Sequence, residues 1–104
     1  MGLKVLGQEA PAADTDTDLF TATAAGVVST LIVCNRGSST AMFRVAVRPD
    51  GAVLADQHYI AYDIPVGAND HYPITVGVTF DLNDVVTVRA STADLSFSAF
   101  GEEG

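Results

Sequence analysis

Over most of its length the chain alternates apolar and polar residues with a period of two, and apolar residues at helical spacing never persist beyond a turn or two. Ala41–Arg48 sets Phe43, Val45 and Val47 against Met42, Arg44, Ala46 and Arg48, the pattern of a strand with one covered face. Residues 57–64 set Ile60, Tyr62 and Ile64 against Tyr59, Ala61 and Asp63. Residues 71–78 place Tyr72, Ile74, Val76 and Val78 on one side, and Pro73 marks that strand as an edge or a bulge. Gly26–Asn35 is different, because it is apolar on both faces: Val28, Ile32 and Cys34 on one, Val27, Leu31 and Val33 on the other. Such a strand is covered on both sides, or it turns one side toward a partner subunit. Residues 84–90 and 94–100 complete the set, with Leu95, Phe97 and Ala99 sharing a face.

Turn chemistry separates these runs. Residues 35–39 (Asn-Arg-Gly-Ser-Ser), 49–51 (Pro-Asp-Gly), 67–70, 81–84 and 91–93 carry the Gly, Pro, Asn, Asp and Ser that tight turns require. The connections are too short for crossover helices. The pattern therefore predicts an all-β fold: a single antiparallel β-sandwich, jelly-roll or Ig-like, of about seven or eight short strands. The sandwich is expected over residues 19–104. Residues 1–18 read as an N-terminal arm, with a short strand at Lys4-Val5-Leu6 and then a polar, acidic connector that leads in at Leu19-Phe20.

Composition narrows the function. The chain has 104 residues, one domain in length, and is 48% apolar. Charged residues make up 17%, below the roughly 25% of an average domain. Thirteen acids face five bases, a formal net charge of −8. This argues against a nucleic-acid binder, which needs Lys/Arg clusters, and against an anionic membrane surface. No run reaches the roughly 18 apolar residues of a spanning helix, and residues 1–9 lack the apolar stretch of a signal peptide. Cys34, the single cysteine, has no intramolecular partner for a disulfide.

Candidate chemistry is sparse. Asp14, Asp16 and Asp18 alternate as in a calcium loop, but the positions that should hold Gly and Glu hold Leu19 and Ala25. On a strand the three carboxylates would share a face and repel unless a cation sat among them. The reading is a solvated acidic connector. His58 and His71, each beside a tyrosine, read as amphipathic surface positions and not as zinc ligands. Cys34, in the most apolar strand, reads as a small hydrophobe. There is no nucleophile elbow, P-loop or dinucleotide fingerprint. Catalytic residues, metal ligands and cofactors are therefore expected to be none. A carbohydrate platform would need Tyr59, Tyr62 and Tyr72 to converge, since tryptophan is missing.

Four blocks carry a resemblance over essentially the full length: Lys4-Val-Leu-Gly-Gln, residues 28–37 (Val-Ser-Thr-Leu-Ile-Val-Cys-Asn-Arg-Gly), residues 58–63 (His-Tyr-Ile-Ala-Tyr-Asp), and residues 84–92 running into the terminal Leu-Ser-Phe-Ser-Ala-Phe-Gly. With these the chain resembles a family of small virion structural proteins, about a hundred residues long, from tailed bacteriophages. The resemblance implies a non-enzymatic, multi-copy assembly subunit of the virion, assembled in the host cytoplasm. It implies either a capsid decoration (cement) protein or a tail, baseplate or fibre component. Its partners would be the major capsid protein or tail and fibre proteins, together with further copies of itself, a trimer being favoured. Residues 82–86 and 97–100 (Phe-Ser-Ala-Phe) also resemble, at fold level only, the end of trimeric β-sandwich heads. The expected assembly contacts are Leu3, Val5 and Leu6 of the arm, Phe20, and the tyrosines Tyr59, Tyr62 and Tyr72. The alternative is a carbohydrate- or receptor-binding module on the host-facing side of the particle.

Overall fold

The computed structural model describes residues 2–104, so Met1, part of the expected arm, lies outside the described residues. The alternating segments become nine strands: β1 (Gly2–Glu9), β2 (Thr17–Thr21), β3 (Gly26–Asn35), β4 (Ala41–Arg48), β5 (Tyr59–Val66), β6 (His71–Ile74), β7 (Val78–Phe80), β8 (Val85–Ala90) and β9 (Leu95–Glu103). Their pairing is nested. β4 pairs with β5, β3 with β6 and β7, β2 with β8, and β1 with β9, all antiparallel. The chain is thus one long hairpin, and rolling it up adds the pairs β3–β9 and β4–β8. A five-stranded sheet of order β1-β9-β3-β6, with β7 collinear with β6 on β3, faces a four-stranded sheet of order β2-β8-β4-β5. Of the two sandwiches expected, this order is the jelly roll.

The nesting corrects the expected domain boundary. Gly2–Glu9 is the first rung of the rolled hairpin, in register with β9 from Gly2↔Glu103 to Glu9↔Phe97. It is an edge strand of the sandwich and not a free arm. Gly7 packs against the β2 backbone so closely that an added Cβ would meet the Leu19 carbonyl oxygen and the Phe20 Cβ. Only residues 10–16 remain as connector.

The inward faces interdigitate as in any sandwich core. Phe43 and Val45 of β4, Val88 of β8, Val33 of β3, and Leu95, Phe97 and Ala99 of β9 are closed to solvent. Phe43 meets Phe97 edge-to-face across the sheets at 6.2 Å, and Phe20 meets Phe80 at 5.3 Å. The exposed area, 5313 Å², is close to the roughly 5,500 Å² of a folded monomer of this mass, so the core is complete within one chain.

Bulges in β1, β3 and β5 change the phase of those strands and correct the expected faces. The register of β3 against β9 slips at Ser29, so Val28 turns inward with Leu31 and Val33, while Ile32 and Cys34 turn outward. Cys34 is exposed. In β5, Asp63 adopts a left-handed φ of 55°, and three residues of β5 span two of β4. Ile64 therefore packs on the core, while Tyr62 faces solvent. β1 slips between Val5 and Gly7, so Leu6 packs against the core. Residues 71–78 are not one strand: the chain breaks after Ile74 and resumes at Val78, with Gly77 at a φ of 65°.

Asn35 fixes one end of the roll. It is 1% exposed and fully satisfied: its Nδ2 donates to the Ser39 and Val66 carbonyls at 2.9 and 3.0 Å, and its Oδ1 accepts from the Gly37 N–H at 2.9 Å. One side chain thus ties the β3–β4 turn to the end of β5. Asn35→Ala strands these three groups and is expected to destabilise the fold by about 3 kcal/mol in urea denaturation. A loss of about 0.5 kcal/mol or less would show that the turn holds without it.

Candidate interaction surface

The two sheets carry different outer faces. On the four-stranded sheet Phe43, Val45 and Val47 point inward, so Met42, Arg44 and Arg48 point outward, with Arg89 opposite Arg44. Like charges directly opposite each other in a sheet are unfavourable. Here each guanidinium has its own carboxylate. Arg44 Nε donates to Asp63 Oδ1 at 2.7 Å, and its guanidinium lies 4.1 Å from the centre of the Tyr62 ring. Arg89 lies 3.4 Å from Asp16. Arg48 donates from Nε to Thr87 Oγ1 at 2.9 Å, from Nη2 to Asp18 Oδ1 at 3.0 Å and from Nη1 to the Ala52 carbonyl at 3.0 Å.

This arrangement explains the Asp14-Thr-Asp-Thr-Asp18 run and corrects its reading as a solvated connector. Two of the three carboxylates meet guanidiniums of the adjacent sheet, and the cations that relieve the repulsion belong to the protein. Asp14 borders a cleft of about 160 Å³ with Arg44, Asp63 and Arg89. Among the described residues no group of three His, Cys, Asp or Glu side chains is placed to hold a metal ion.

The lower half of the same face is covered by the chain itself. Ala46, Val85 and Thr87 point outward yet are only 1%, 5% and 5% exposed, because the β4–β5 connection and the Arg48 side chain lie over them. His58, expected at the surface, is buried in that connection, where its Nδ1 accepts the Ala55 N–H at 3.1 Å.

The outer face of the five-stranded sheet is bare. Leu95, Phe97 and Ala99 point inward, so Ser96, Ser98, Phe100 and Glu102 point outward, and the register fills the rows beside them. One row is Ser96, Cys34 and His71; the next is Gln8, Ser98, Ile32 and Pro73. The third is Val5, Phe100 and Thr30; the last is Leu3, Glu102, Val27 and Thr79. Of the 13 acids in the chain, Glu102 is the one carboxylate in these rows, and Glu9 borders them at the end of β1 beside Ser96 and Ser98. Leu3 and Val5 are 82% and 52% exposed.

The expected assembly residues separate. Leu3 and Val5 lie on this bare face. Leu6 and Phe20 pack inward, which removes them as surface contacts. Tyr59 and Tyr62 pair edge-to-face at 4.9 Å on the opposite, charged face. Tyr72 points between the sheets against Phe43, at 5.6 Å, and borders an apolar groove of about 340 Å³ between β5 and β6, with Ile60, Ile64, Ile74 and Val76. The three tyrosines therefore do not converge. Phe100, Ile32 and Cys34 were missed as surface residues; the Ser96-Phe-Ser-Ala-Phe100 alternation, with its small polar residues outward, is the signal for that face. Comparison with protein-family models, with curated proteins and with solved structures finds no match to this chain.

The two arginine environments differ enough to test. Arg48 is 17% exposed and bridges three segments, so Arg48→Ala is expected to cost about 2 kcal/mol in chemical denaturation. Arg89→Ala, which loses one long and exposed pair, is expected to cost about 0.5 kcal/mol or less. Equal losses would contradict the distinction.

Three carboxyls are held below their ordinary values of 3.8 for Asp and 4.5 for Glu. The Arg44 hydrogen bond lowers Asp63. The Asp50 and Asp81 N–H groups lower Asp84, and the Thr23 N–H followed by Lys4 lowers Glu103. A group depressed on folding contributes stability above its unfolded value and loses it as pH falls through the folded one. Thermal stability should accordingly be flat above pH about 5 and fall steadily below pH about 4. Asp84→Asn should make the fall shallower; an unchanged slope would contradict this assignment.

Proposed function

We propose that this protein is a non-catalytic structural subunit of a tailed-bacteriophage particle, present in many copies and held by contacts with other virion proteins and with copies of itself. The observation that carries the reading is the bare, nearly uncharged outer face of the five-stranded sheet on a chain of net charge −8. Surfaces that meet only water in so acidic a protein have no reason to shed charge, whereas interface cores are depleted in it. Two of the four blocks that resemble virion proteins, residues 4–8 and 28–37, and the tail of a third, residues 95–101, fall largely on β1, β3 and β9, which make most of this face; residues 58–63 and 84–92 fall on the other sheet. Capsid decoration and a tail or fibre position both use such a surface. In particles purified by density gradient, mass spectrometry should find the chain at a fixed, integral ratio to the major capsid or tail protein. Its absence from washed particles would refute the proposal.

A second reading, recognition of carbohydrate on a host surface, is favoured by one observation. Tyr62 is 54% exposed beside the Arg44–Asp63 pair, and planar polar groups next to an aromatic ring suit a sugar. It requires that glycan binding by the assembled protein at millimolar ligand is lost in Tyr62→Ala.

A further inference from the structure

Resting on the reading of a multi-copy subunit, we infer that the outer face of the five-stranded sheet is covered by the same face of a second copy, with the two sets of strands running in opposite directions.

The occupant follows from charge. Two copies of a −8 chain repel wherever acidic surfaces meet. The outer face of the other sheet is occupied already, by Arg44, Arg48 and Arg89 with their carboxylates and by the β4–β5 connection. The bare face is where two identical acidic chains approach without that penalty. It is also self-complementary in chemistry, since Val5, Phe100, Thr30, Ile32 and Ser98 need no partner of opposite charge.

The direction follows from the ends of the face. Glu102 stands in one end row, and Cys34 with His71 in the other. These rows lie about 20 Å apart, six residues along β9. A two-fold axis lying across the strands sets the Glu102 end of one copy over the His71 end of the other. It keeps the two Glu102 carboxylates apart, whereas an axis along the strands would bring them together. The axis then passes near Ser98 and Phe100, between the two central rows. A face that meets its own equivalent makes an isologous contact, which closes at two copies and not at the three favoured on sequence grounds.

The size of the face sets the strength. About four strands at about 4.8 Å spacing and four rows over about 20 Å give a footprint of about 400 Å² per copy. The total, about 800 Å² before side-chain relief, falls below the roughly 1,200–2,000 Å² of stable specific interfaces and into the range of weak, transient contacts. The dimer should therefore be weak in solution, with a Kd on the order of 100 µM, and fill where an assembling particle concentrates the chain.

Sedimentation equilibrium from about 10 µM to about 1 mM tests the contact around that Kd. The mass should rise from 10.8 kDa toward twice that value. Ser98→Arg and, separately, Thr30→Lys should hold it at one copy with an unchanged circular dichroism spectrum, and Met42→Lys on the opposite face should still dimerise. Two outward positions are used so that a folding defect in one leaves the other to decide. In a Cys34→Ser background, Ser98→Cys should be joined to its own copy by a bismaleimide of about 10 Å span, the spacing of packed sheets, while native Cys34 should not. One copy at every concentration, a three-copy mass, dimerisation of both outward-face variants, or crosslinking through Cys34 and not Ser98 would overturn the inference. Particles that retain Ser98→Arg at normal copy number would sink this contact and leave the virion role standing. A dimer that behaves as described but is absent from particles would do the reverse.

Discussion

Three guanidinium–carboxylate pairs on one outer face organise this molecule. Arg48 joins β4 to the Asp18 carboxylate of β2, Arg89 of β8 reaches Asp16, and Arg44 of β4 holds Asp63 on the β5 bulge. Each pair joins two segments of the rolled hairpin; Arg89 holds the end of the acidic β1–β2 connector and Arg48 the start of β2 on the four-stranded sheet, while Arg44 ties β4 to β5. Individually, exposed pairs add little stability. Their larger effect is distribution: three of the four arginines are committed to one sheet, where they pair three of the 13 acids.

The other sheet is left with a face that the charges avoid. On the inner side β3 and β9 supply Val33, Leu95 and Phe97 to the core; on the outer side they supply Ile32, Cys34, Ser98 and Phe100 to solvent. A strand apolar on both sides is ordinary in the middle of a layered protein, and here only one side is covered by the chain itself. The edge strand β1 extends that surface with Leu3 and Val5. The functional reading grows from this asymmetry: one face finished by its own ion pairs and connection, the other unfinished. The jelly roll alone does not decide it, since the same architecture serves capsid and lectin domains.

The alternation of Ala41–Arg48 and of residues 95–99 reads directly from sequence because both strands run unbroken past their inward contacts. Turn chemistry located the connections for the same reason. Faces were misassigned where a single extra residue changed the phase. Ser29 does this in β3, and Asp63 does it in β5 through a left-handed backbone that Asp tolerates better than most residues. Neither position carries a glycine or proline to announce it. The Asp14–Asp18 run was opaque for another reason: its partners, Arg48 and Arg89, lie some 30 and 73 residues away in sequence. The first eighteen residues resembled an arm because β1 is exposed along most of its length, and its pairing with β9 is a contact between the two ends of the chain.

The reactivity of Cys34 reports most directly on whether the nearly uncharged face is an interface. It is the one thiol in the chain, it is exposed in a single copy, and it stands in an end row of that face. Its labelling rate with a small maleimide is expected to fall as protein concentration rises through the dimer range, and to fall further in any particle that holds the chain. A rate that stays constant across that range and in the particle would contradict the interface.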